Sequence, residues 1–249
     1  MFERFSMHLA RFLAADRHVH GTSLPTKQQL LTKALRPGDV LLVEGNSRIS
    51  TAIKYLTQST WSHAALFVGD HARLPEGPPR PHAFIEADVV AGVRVVGIEE
   101  FARFHCRICR PLGLSPSDAE RLASYAVARI GHQYDTRNVI DLMRYLLPTP
   151  PVPTSWRRRM IALGSGDPTR AICSTLIAQA FQSIRYPILP DVTMISAAKE
   201  GCLDCVKEIM RVRHHSLFVP RDFDVSPYFE IVKPSLVDKF DYHAIPWAD

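Results

Sequence analysis

Three short stretches of the 249-residue chain carry side chains that could do covalent chemistry together: WSHAALFVGD, HAFIEAD and AICSTLIAQAF. In the last of these, Cys173 heads an apolar, helix-forming run, with Ser174 and Thr175 directly behind it. A cysteine in apolar company is ordinarily a small packed hydrophobe. In the first turn of a helix, however, unpaired N–H groups and the helix dipole lower a thiol's pKa and make its thiolate available as a nucleophile. Asp167-Pro168 and the polar residues after it make a turn just upstream, which puts Cys173 in such a first turn, its own N–H turned toward a developing oxyanion. Leu176, Ile177, Ala180, Phe181 and Ile184 are the apolar positions that fix the helix, and with it the direction of the sulfur.

A thiolate that transfers acyl groups needs a base, and the base needs an orienting group. Of the eleven histidines, His63 is the one set inside an apolar strand. Strand alternation places His63, Ala65 and Phe67 on one face and Ser62, Ala64, Leu66 and Val68 on the other. The competing role for such a histidine is a hydrogen-bonded core residue. Glu86 lies near the end of the next strand, among Phe84, Ile85 and Ala87. A carboxylate there must be paired, because desolvating it alone is costly. Its partner is either the His63 nitrogen that faces away from sulfur or one of the many arginines. Asp88, two residues on and facing the same way, is the rival orienter.

The elements that must hold these groups follow from periodicity and punctuation. Phe2, Phe5, Leu9, Phe12 and Leu13 fall at helical spacing, and Ser23–Ala34 predicts a second helix running to the breaker Pro37-Gly38. Strands are expected over Asp39–Glu44, Ser62–Val68, HAFIEAD, GVRVVGI and FHCRICRPL. Asn46 or Ser47 caps a helix with Ile49, Ala52, Ile53 and Leu56 inward, and Ser115-Pro116 opens one that stops at Gly131. NVIDLMRYLL reads as a further helix, and the cysteine helix ends before Tyr186-Pro187. Clustered strands between helical flanks predict an α+β domain with a mostly antiparallel sheet. The division is an N-terminal helical extension, residues 1–34, and one domain over 35–249. Proline-rich loops at 73–81 and 148–153 precede Glu86 and Cys173, where they are placed to rim a cleft.

Bulk properties exclude several classes. Five cysteines are an odd number in a chain too long to depend on disulfide staples, so reduced thiols are expected. The N-terminus is charged throughout and makes a poor secretory signal, and no window reaches the length of a membrane span. A cytoplasmic, soluble protein is the expectation. The net charge of +5 permits anionic surfaces, but no aromatic-basic platform accompanies it, so nucleic acid is not an expected partner.

Taken together, LRPGDVLLVEG, WSHAALFVGD, HAFIEAD…GV, ARIGHQYD and AICSTLIAQAF resemble the permuted papain-like cysteine hydrolases of the NlpC superfamily, in the YiiX/YebB-like branch. In papain-like enzymes the cysteine helix usually precedes the histidine strand; in this branch, as here, the order is reversed. The resemblance spans roughly Leu35 to Pro187. It implies a permuted papain-like fold, with Cys173 as nucleophile, His63 as base and Glu86 as third polar residue. It also implies that Tyr134, after the glycine of ARIGHQYD, lies near the active site, lining the cleft or aiding the oxyanion hole unless it merely packs. No metal or organic cofactor is implied.

Relatives in this superfamily act on peptide amides, and others, similar to lecithin–retinol acyltransferase, move acyl chains through a thioester. The expected substrate is therefore a small molecule, a peptide or a lipid, with hydrolysis weighed against acyl transfer and against a pseudo-hydrolase that only binds. Arg157, Arg158 and Arg159 beside Trp156, Met160, Ile161 and Leu163 suit an anionic membrane surface, or equally a solvated helix end. Two CxxC pairs, Cys106/Cys109 and Cys202/Cys205, raise a structural zinc. The first pair sits in a strand at an odd offset, which sends its side chains to opposite faces and argues against a shared metal.

Overall fold

The computed structural model describes Ala15 and residues 25–69, 82–133, 172–196 and 206–233. In chain order these form α1 (Gln28–Ala34), β1 (Val40–Val43), α2 (Arg48–Thr57), β2 (His63–Phe67), β3 (Phe84–Asp88) and β4 (Gly92–Val96). A 3-10 turn (Ile98–Phe101), β5 (Cys106–Pro111), α3 (Pro116–Val127) and α4 (Ile172–Ser183) follow. The last elements are β6 (Asp191–Ser196), β7 (Val206–Arg211), a second 3-10 turn (His215–Leu217), α5 (Pro220–Val225) and β8 (Phe229–Val232). The first and last segments of the chain, Tyr134, the Trp156–Leu163 stretch, both proline-rich loops and Cys202/Cys205 lie outside the described residues.

Six strands make one sheet in the order β4-β3-β2-β1-β5-β8, every neighbour antiparallel. β6 and β7 form a separate antiparallel pair. The fold is thus α+β, with a wholly antiparallel main sheet. β1 is central and buried along its whole length, which explains why VLLV is continuously apolar rather than alternating.

Strand alternation sorts the remaining side chains onto two faces. Val40, Leu42, Ala64, Leu66, Val68, Ile85 and Ala87 pack beneath α3 and α4, against Leu122, Ala126, Leu176, Ile177 and Phe181. Leu41, Val43, Ala65, Phe67, Phe84 and Val96 face the other way, under Leu31 of α1 and Phe101 of the 3-10 turn. The CxxC of β5 obeys the same rule: Cys106 joins the second core and Cys109 the first. Both are free thiols, and no group of three or more His, Cys, Asp or Glu suited to a metal occurs among the described residues.

Two helix starts follow from capping chemistry, whereas the helix expected from Ser23 begins at Gln28, where Lys27 makes no side-chain cap bond. The Ser47 hydroxyl accepts from the Ser50 N–H at 3.1 Å, and Ser115 accepts from the Asp118 N–H at 3.1 Å with Pro116 in the first turn. After α3, Gly131 takes φ +84°, and its N–H donates to the Val93 carbonyl at 2.9 Å. Val93 returns a bond to the His132 carbonyl at 3.0 Å. A Cβ on Gly92 would come within 2.5 Å of that carbonyl, so glycine is needed for β4 to receive the chain here.

The tail, legible only coarsely in sequence, closes the sheet. β8 pairs with β5, and Phe223 and Phe229 lie 6.3 and 5.2 Å from the Phe181 ring of α4. The cysteine helix is therefore clamped from both sides.

One buried ion pair ties the start of β1 to its neighbours. Asp39 Oδ1 accepts from Arg110 Nε at 3.0 Å, and Oδ2 accepts from Arg110 Nη2 and the Arg36 N–H, both at 2.8 Å. Burial pushes the Asp39 carboxyl up even so, although Arg110 pulls it back. Arg110→Met should cost about 3 kcal/mol of unfolding free energy in denaturant melts, since breaking a buried pair strands its partner. A loss under about 0.5 kcal/mol, typical of exposed pairs, would contradict this.

Candidate active site

The β2–β3 ladder pairs Phe67 with Phe84 and Leu66 with Ile85 and runs no further toward His63. In an antiparallel pair, alternate residues direct their N–H and C=O to opposite neighbours. Phe67 bonds to Asp39 across β1, so Ala64 directs its N–H toward β3. There the ladder has ended, and the donor meets the sulfur of Cys173 instead.

Cys173 is the second residue of α4, so the helix's unpaired N–H groups and positive dipole end surround it. The apolar side of α4 is sunk into the main core, with Leu176, Ile177, Ala180 and Phe181 at most 1% exposed. The sulfur is thereby fixed against the start of β2. Cys173 itself is 5% exposed and touches Val219.

His63 opens β2 and bridges the two other groups. Its Nε2 lies 2.7 Å from Glu86 Oε2. With Nε2 so committed, Nδ1 is the nitrogen left to hydrogen-bond the Cys173 sulfur. The imidazole keeps 26% of its side-chain surface exposed, so solvent reaches the group from this side. Glu86, 5% exposed, divides its carboxylate: Oε2 faces His63, while Oε1 accepts from Arg94 Nε at 2.9 Å and Nη2 at 2.7 Å.

Proton affinities follow from these contacts. Burial pushes the Glu86 carboxyl up, but the His63 and Arg94 charges outweigh it and bring it down to about 2. Burial likewise disfavours a charged His63, yet the Glu86 carboxylate and the sulfur raise its pKa well above the ordinary 6.5. The Cys173 thiol moves down despite burial, held by His63, the Ala64 N–H and the Ser174 hydroxyl, whose oxygen lies 3.9 Å from the sulfur. Cys106 shows the same residue type with no cation beside it: its thiol donates to the Phe104 carbonyl at 3.6 Å, and burial pushes it up to about 12.

The structure brings Cys173, His63 and Glu86 together. Asp88, the rival orienter, is used otherwise: its Oδ1 accepts from the Val90 and Ala91 N–H groups at 2.8 and 2.7 Å and shapes the β3–β4 turn. Arg94 and the Ala64 N–H were not singled out in sequence. Arg94 was findable, because a tight turn after Asp88 places it directly across from Glu86. The Ala64 donor was not, since it depends on where a ladder stops.

A thiol, an imidazole and a carboxylate in series, on an antiparallel sheet whose histidine strand precedes its cysteine helix, define a papain-like site of permuted order. Residues 34–145 match the family described as permuted papain-like amidase enzymes, YaeF/YiiX, C92 family. The match spans less than half of the chain; His63, Glu86 and Arg94 lie within it and Cys173 beyond it. The chain is also 20% identical over 177 residues to the probable lipoprotein peptidase YaeF of Escherichia coli K12, covering 65% of this chain and 60% of that relative's length. Among solved structures it is similar to metalloprotein YiiX of Escherichia coli O157:H7, with TM-score 0.46 and 15% identity over 80% of this chain and 96% of that one.

Alkylation of Cys173 by iodoacetamide, followed by mass spectrometry at pH 6, should outpace that of Cys106 and Cys109 by at least about a hundredfold, because only the thiolate reacts. Glu86→Gln should slow the Cys173 reaction about tenfold or more by removing the charge that keeps His63 protonated. Equal labelling of all three thiols would contradict the geometry described.

Proposed function

We propose that the protein hydrolyses an amide bond through a thioester formed on Cys173. The observation that carries this reading is the 2.7 Å contact between His63 Nε2 and Glu86 Oε2, which leaves the imidazole's other nitrogen on the sulfur. The family's description as amidases supports the choice of bond.

In this mechanism the thiolate attacks the carbonyl carbon, the C–S bond forms and the carbonyl oxygen becomes an oxyanion. N–H groups of the first turn of α4, Cys173's own among them, face that charge. The His63 imidazolium gives its proton to the departing nitrogen, the C–N bond breaks and the amine leaves. Water then adds to the thioester as His63 takes its proton. The C–S bond breaks, the acid is released and the thiolate–imidazolium pair is restored. Glu86 keeps the tautomer and the charged form of the ring in place throughout.

The substrate is assigned only by reactive group, an acyl amide in a peptide or peptide-like molecule. None of the described helices is long and apolar enough to cross a membrane. Incubation with panels of peptide amides, esters, thioesters and phospholipid vesicles, with acid quenching and intact-mass analysis, separates the choices. The expected result is turnover of an amide with an acyl adduct on Cys173, abolished in Cys173→Ala and reduced by at least about a thousandfold in His63→Ala. Release of fatty acid from the vesicles, with no amide turned over, would replace this reading with lipid acyl chemistry. Absence of any adduct would favour a binding module.

A further inference from the structure

Among the described residues the charges that face His63 are the Cys173 thiolate and the Glu86 carboxylate, and Glu86 is itself shared. Its two oxygens serve different cations: Oε2 the imidazole, Oε1 both Nε and Nη2 of Arg94. The four groups form a chain of alternating sign, thiolate, imidazolium, carboxylate and guanidinium, whose charges sum to zero. Without Arg94 the same chain carries one net negative charge in a largely buried site.

From this arrangement we infer that Arg94 is a fourth member of the site, a positioning residue that fixes the Glu86 carboxylate edge-on to His63 and balances the charge of the active ion pair. The inference deepens the cysteine-hydrolase reading and rests on it. Its geometry is over-determined. Glu86 and Arg94 are direct cross-strand partners in the β3–β4 hairpin, the pairing in which opposite charges stabilise a sheet. Two guanidinium nitrogens on one oxygen leave the other oxygen no choice but the imidazole. Lysine, with one freely rotating ammonium, cannot impose that division.

The other charges that Arg94 meets are Asp88 and Glu100. Asp88 is engaged by the Val90 and Ala91 amides, and Glu100 lies on the 3-10 turn after β4. Neither is a hydrogen-bond partner of Glu86, so the electrostatic effect of Arg94 reaches the sulfur through Glu86 and His63. Removing the guanidinium makes an anionic thiolate harder to form and an imidazolium harder to discharge. Both titrations therefore move to higher pH together.

The test is the ultraviolet thiolate absorbance of the intact protein followed against pH, with Cys173→Ser as the baseline for the other thiols. Arg94→Met should raise the pH of Cys173 thiolate formation by about one unit, the lower end of what a nearby charge does. Arg94→Lys, which keeps the charge, should recover at least half of that shift while leaving kcat below wild type at unchanged KM. Because 41% of the Arg94 side chain is exposed, Arg94→Gln provides a second neutral variant that tolerates solvent. Neutral variants that lose thermal stability but titrate like wild type would overturn the inference, leaving Arg94 a strand staple. Failure of both neutral variants to fold would overturn it equally. A wild-type protein without thiolate near neutral pH would refute the hydrolase reading itself, which keeps the two failures apart.

Discussion

The constraint on which the site depends is the burial of the Glu86 carboxylate. An ionised acid at 5% exposure is tolerable only if each of its oxygens finds a cation or a strong donor. Those partners are His63 from β2 and Arg94 from β4, one on either side of the strand that carries the acid. The sheet order β4-β3-β2 is what makes this division available. Once His63 is held by its Nε2, the ring can present only its other nitrogen to the cysteine helix. The position of the sulfur is then the sole remaining variable, and the apolar side of α4 fixes it.

The three described cysteines show how little residue type alone decides. Cys106 and Cys109 lie on opposite faces of β5, and burial pushes both thiols up. Cys173 is as buried as they are, yet its thiol moves down, because a cation and two donors converge on it. Linkage follows from the same contacts. Glu86 is depressed below its ordinary 4.5, so its contribution to stability is present above that value and lost as pH falls toward 2. His63 is raised above 6.5, so its contribution is complete below 6.5 and lost as pH rises through the folded value. Between 4.5 and 6.5 both are in force.

Much of this was legible in the chain. A histidine inside WSHAALFVGD and an acid inside FIEAD are expensive in strands of such composition, and that expense is the signal. The apolar spacing of α4 gave its buried side, and Ser47 and Ser115 gave helix starts through local chemistry, whereas α3 ends at Val127, short of the stop expected at Gly131. What stayed hidden is non-local. Alternation put Asp88 on the same face as Glu86, and only the turn geometry shows its carboxylate committed to the Val90 and Ala91 amides. Nothing in the tail announces that FEIV pairs with β5, since four residues carry too weak a pattern to specify a partner more than a hundred residues away. The Ala64 amide depends on the β2–β3 ladder opening before His63, a property of two strands and not of either.

Nitrogen-15 NMR of the His63 imidazole against pH is the measurement closest to the centre of this account. Both ring nitrogens should be protonated through pH 6.5, with loss of a proton only above it and coupled to the Cys173 sulfur. A neutral ring at that pH, titrating like a free histidine, would mean that the buried acid does not govern the site.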